Sequence, residues 1–73
     1  MSPIVSFDAV GPRAEELANG AAANRDVVVG FDPEFECFNF DADGISEQEL
    51  AAVIAEELDN LEPDWRSHLS PVD

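Results

Sequence analysis

Seventy-three residues allow one small domain, with a folded surface of roughly 4,400 Å². Seventeen Asp and Glu against three Arg and no Lys give a net charge of −14, which excludes direct binding to a phosphate backbone, and a surface this small leaves little room for a large catalytic cleft. No apolar run is long enough to span a membrane, and Met1-Ser2-Pro3-Ile4 places no basic region ahead of an apolar one, so the chain is expected to be soluble, unprocessed and cytoplasmic. A single cysteine, which forms no internal disulfide, fits a reducing compartment. Acidic chains often fail to fold for want of apolar surface, but 45% of this one is hydrophobic, with five Phe and one Trp, enough for a small core.

Ile4-Val5-Ser6-Phe7 reads as a first strand, ending at Asp8 ahead of Gly11-Pro12. Pro12 can then take the first position of a helix, with Glu15 and Glu16 near the positive end of its dipole. Ala14, Leu17, Ala18 and Ala21 share a helical stripe in which Leu17 is the only large apolar residue, so this helix is expected to be weakly anchored. Gly20 either ends it or sits inside it at about 1 kcal/mol relative to Ala. Strands at Asp26–Phe31 and Glu34–Phe40 flank Asp32-Pro33, which suits a type I turn. Asp43-Gly44 breaks the second of these strands. Ser46-Glu47-Gln48-Glu49 has the form of a capping box, opening a helix at Glu47 that Pro63 stops. Leu50, Val53, Ile54, Leu58 and Leu61 form its apolar stripe, and Asp64–Leu69 can add a turn folding Trp65 and Leu69 back onto the body.

The order strand-helix-strand-strand-helix describes a single two-layer α+β domain over residues 1–73, with a right-handed crossover making the first two strands parallel. Along the hairpin, Phe35 and Cys37 take one parity and Phe38 and Phe40 the other, so both sheet faces are expected to carry apolar side chains unless a bulge intervenes. The second face then needs the first helix, Trp65 and Leu69, or another chain to cover it, a second copy included.

The Asn39–Leu50 segment resembles an EF-hand calcium loop in its alternate oxygen ligands, its glycine and its terminal Glu. It is one residue short between Gly44 and Glu49 and no helix precedes it. A turn followed by a capping box accounts for the same residues without an ion, leaving only loose divalent-cation binding to expect. Cys37 and His68 are each alone of their kind and lack an orienting third group, and two such residues cannot make a four-ligand zinc site. No phosphate loop, nucleophile elbow or paired-histidine motif is present. The chain is therefore expected to be no enzyme and to need no cofactor.

On the second helix, Glu49, Glu56 and Asp59 form a negative stripe, while Glu57 falls among the apolar residues. Two accounts of Glu57 remain: a pairing with Arg13, Arg25 or Arg66, or an escape to water, against a basic residue offered by a partner. Glu56, Asp59, Glu62 and Asp64 near the helix's negative end have no local reason to be there. The expected function is a non-enzymatic acidic module, acting as inhibitor, adaptor or small subunit, that engages a basic protein surface. In a sharper form it is a nucleic-acid mimic that occupies a nucleic-acid-binding protein. Glu49, Glu56, Glu57 and Asp59, with Phe38, Phe40 and Trp65 as aromatic anchors, are the residues that would carry the contact. The alternatives are a salt-adapted structural domain and a weak calcium binder; the absence of Lys, Thr and Tyr fits a salt-adapted proteome or a GC-rich genome equally.

Overall fold

The computed structural model describes residues 3–72. Along the chain run β1 (Ile4–Ala9), α1 (Ala14–Asn24), β2 (Val28–Asp32), β3 (Cys37–Asp41), α2 (Glu47–Leu61), a 3-10 turn at Trp65–Ser67 and β4 (Leu69–Pro71). The α+β class and element order follow the sequence reading, with one strand added at the end. The four strands form one antiparallel sheet in the order β2-β3-β1-β4. β1 and β2 both run against β3, so they are parallel to each other with β3 between them. This is the split βαβ, or ferredoxin-like, connectivity, which hosts many unrelated functions and so supplies none by itself.

Register decides the faces. Val5 pairs with Phe40 and Phe7 with Phe38, so all four point to the side on which both helices lie. Phe7 meets Phe40 edge-on at 5.4 Å and Trp65 at 5.9 Å, a favoured arrangement for aromatic quadrupoles. Leu17, Leu50, Ile54, Leu58 and Leu69 close the core around them.

The expectation of two apolar faces is corrected for Phe35, although Ile4 and Val28, both paired with Asp41, stand exposed on the second face, the one that holds Cys37. Asp32 pairs with Cys37, leaving Pro33–Glu36 as a four-residue turn, so Phe35 belongs to neither face. Asp32 Oδ1 accepts from the Glu34 amide at 3.0 Å, as an Asx turn does. Glu36 takes a left-handed φ of 51°, and its carbonyl accepts from the Ala9 amide of β1 at 2.9 Å. The opposite sheet face therefore carries Cys37, Asn39 and Asp41 from β3 and is not covered by either helix.

Other boundaries also move: β2 begins at Val28 instead of Asp26, and β3 ends at Asp41 instead of Phe40. β1 continues through Asp8 to Ala9. α1 begins at Ala14 instead of Pro12, with Glu15 and Glu16 in its first turn as read. It then runs through Gly20 to Asn24, because Leu61 of α2 lies over that glycine; a Cβ there would sit 3.1 Å from Leu61 Cδ1. The small residues Ala14, Ala18, Ala21 and Ala22 are buried with Leu17, so alanines provide close packing where large side chains are missing. α2 matches its expected limits, with Ser46 Oγ accepting from the Glu49 amide at 3.1 Å.

β4 was not legible as a strand: three residues ending in proline show no alternation. It exists because the chain after Pro63 turns back, burying Trp65 and Leu69 as expected. The His68 carbonyl accepts from the amides of Val10 and Gly11 at 2.9 and 3.2 Å. Gly11 is required there, since a Cβ would lie 2.5 Å from the Ser67 carbonyl oxygen.

Candidate protein-binding surface

All three arginines are used along the C-terminal half of α2. Arg25 Nε donates to Glu57 Oε1 at 2.7 Å, with Asn24 Nδ2 3.3 Å from the other oxygen and Arg25 Nη2 3.7 Å from Glu56. Glu57 is thus the paired carboxylate of the first account, its side chain only 13% exposed. Arg13 Nη1 binds Glu62 at 2.7 Å and its Nε binds Glu16 at 3.1 Å. The Arg66 guanidinium lies 4.4 Å over the Trp65 ring and 3.9 Å from Asp59. Asp59 also accepts the indole N–H of buried Trp65. Hydrogen bonding to Glu57 raises Arg25, and hydrogen bonding to Glu16 raises Arg13, above the ordinary guanidinium value. Glu56, Asp59 and Glu62, which lacked a local reason in the sequence, have tertiary ones.

The three aromatic anchors expected at a partner surface are core residues. Phe38, Phe40 and Trp65 are 5%, 0% and 1% exposed, because strand register and the 3-10 turn aim them under the helices. The aromatic residues that do reach solvent are Phe31, 50% exposed at the sheet edge, and Phe35, 68% exposed in the β2–β3 turn. Of the expected acidic stripe, Glu49 is exposed in the first turn of α2, and Glu56 and Asp59 are exposed but ion-paired.

Between Asp26 and Glu49 the sequence holds eight carboxylates and no cationic residue. Four acids gather at the turn end of the sheet. Asp32 and Asp8 flank Cys37 across the open face through the pairs Asp32↔Cys37 and Asp8↔Cys37, and Glu34 and Glu36 follow in the turn on either side of Phe35. None of these four makes an ion pair among the described residues. The result is a turn carrying an exposed phenyl ring at the same end of the sheet as four carboxylates that make no ion pair among the described residues. The arginine-free interval was readable in the sequence; the exposure of Phe35 was not, because it depends on Phe35 leaving the strand.

Cys37 shows the cost of that charge. Burial pushes its thiol above its usual range, and Asp32 and Asp8 add to the shift, so it is a protonated, weakly reactive thiol at neutral pH. His68 is engaged elsewhere: its Nδ1 faces the Arg13 amide at 3.3 Å at the start of α1. In the calcium-like segment, Gly44 at φ 83° turns the chain into the Ser46 cap. Among the described residues no group of three or more His, Cys, Asp or Glu is placed to hold a metal ion, and no helix is long and apolar enough to cross a membrane. No family model, curated protein or solved structure matches the chain.

Proposed function

We propose that this protein is a non-enzymatic binding module that engages a basic surface of another protein through the turn end of its sheet. The observation that carries the reading is the segregation of charge: every arginine is paired near α2 or α1, while Asp8, Asp32, Glu34 and Glu36 lie at the same end of the sheet as the exposed Phe35 and make no ion pair among the described residues. Uncompensated carboxylates destabilise a folded chain by mutual repulsion and steer a cationic partner toward it. An exposed aromatic side chain at the same end supplies the desolvated contact that charge alone does not. An inhibitor, an adaptor or a small subunit would each use such a surface, and occupying a nucleic-acid-binding groove is its most specific form.

The test compares two charge-neutral variants in a pull-down from the source cell at moderate salt, followed by titration of the recovered protein. Asp8→Asn/Glu34→Gln/Glu36→Gln is expected to weaken binding by about tenfold or more, equivalent to about 1.4 kcal/mol. The helix variant Glu49→Gln/Glu56→Gln/Asp59→Asn should bind nearly as the parent does. The reverse order would return the site to the α2 stripe. Failure to recover any basic partner, with stability rising steadily to molar KCl, would favour a salt-adapted domain instead.

A further inference from the structure

Among the described residues neither a close contact nor the backbone angle requires Gly30 to be glycine. It stands in the middle of β2, where glycine weakens a strand. It has no left-handed backbone, and a Cβ built on it meets nothing within 4 Å. Through its pairing with Asn39 it lies on the open face, and β2 is a terminal strand of the sheet, its outer edge unpaired among the described residues. Such an edge normally carries a blocking Lys, Pro or bulge, and Val28–Asp32 carries none. On the helix side, the same edge borders a notch of about 270 Å³ between β2 and α1, lined by Val29, Gly30, Phe31 and Phe38 with Glu15 and Asn19.

From these features we infer that the free edge of β2 receives an extended, basic segment of the partner protein as an added antiparallel or parallel strand. The inference rests on the binding-module reading and specifies its mode. Backbone groups of β2 supply the hydrogen bonds, and alternate side chains of the added strand separate to the two faces. Those on the helix side are apolar and enter the notch against Phe31. Those on the open side are Lys or Arg, laid across the space left by Gly30, with their charged heads toward Asp32. A side chain at residue 30 would occupy that space, which is why glycine is kept there. A second copy of this chain is a poorer occupant, because each copy would bring a net charge of −14 and place its own carboxylates beside Asp32.

The probe is a six-residue peptide of alternating valine and lysine, together with the same peptide N-methylated at alternate residues, which keeps every charge but removes strand-forming donors. The parent protein is expected to bind the unmethylated peptide, with slowed hydrogen exchange at β2 amides, and to bind the methylated one about tenfold more weakly or worse. Gly30→Val should raise the urea midpoint of the free protein, since valine suits a strand, while weakening the peptide by a similar factor. Equal binding of both peptides, or undiminished binding to Gly30→Val, overturns strand addition and leaves the charge-based reading intact. Binding of neither peptide at millimolar concentration overturns both. Dimerisation abolished by Gly30→Val would assign the edge to a second copy and overturn the basic-segment assignment.

Discussion

Trp65 joins the core to the charge network, since its ring packs on Phe7, its indole N–H meets Asp59 and its face carries Arg66. Truncating Trp65→Ala should cost about 3–5 kcal/mol in urea unfolding. Trp65→Phe, which keeps an aromatic ring and releases half-exposed Asp59 to water, should cost about 1–2 kcal/mol. Cys37 gives a pH signature. With its folded pKa raised from 9.0, the folded chain holds a proton that the unfolded chain loses. Stability is therefore unaffected by this group below the unfolded pKa and falls as pH rises from there through the folded value, at no more than about 1.4 kcal/mol per pH unit. Cys37→Ala should lack that fall, and iodoacetamide should label the parent slowly at pH 8. Phe35→Ser, by contrast, should leave stability within about 0.5 kcal/mol while weakening the partner, separating contact from fold.

At the scale of elements, two glycines that look alike in the sequence have opposite meanings. Gly20 faces the movable end of Leu61, a side chain left 43% exposed. Gly20→Ala should therefore gain up to about 1 kcal/mol of helix propensity as Leu61 swings aside. Gly11 faces the backbone carbonyl of Ser67, which cannot move without parting β4 from the β1–α1 connection. Gly11→Ala should cost about 2–3 kcal/mol by overpacking and by loss of the paired bonds to His68. Thermal or urea unfolding of the pair checks both signs. Much of this level was legible beforehand: the capping box at Ser46, the stripe of α2 and the proline stop at Pro63 are local rules. The four-residue turn was not, because a left-handed Glu36 is selected by its carbonyl's bond to Ala9, a contact made 27 positions away in the chain. β4 was missed for the same reason, its pairing being set by Gly11 and Trp65 and not by its own three residues.

For the whole molecule, the sequence yielded the sign and size of the charge but not how the fold distributes and pairs it. It directed attention to the end of α2, where acids oppose the helix dipole. Tertiary pairing with Arg13, Arg25 and Arg66 ties Glu56, Glu57, Asp59 and Glu62, but not Asp64, into the fold, and the burial of Phe38, Phe40 and Trp65 removes the expected anchors. At the turn end, Asp8, Glu34 and Glu36 have no such ion pair among the described residues. On the binding-module reading these turn-end carboxylates are held against the interest of stability. The most direct measurement is the urea midpoint of the free protein at low salt for two triple variants. Asp8→Asn/Glu34→Gln/Glu36→Gln should unfold at higher urea than the parent, because repulsion is relieved and no ion pair is lost. Glu56→Gln/Glu57→Gln/Glu62→Gln should unfold at lower urea, because the Arg13 and Arg25 pairs are broken. A turn-end variant less stable than the parent, or a helix variant more stable, would contradict the account by making the turn-end charge structural and the helix charge dispensable.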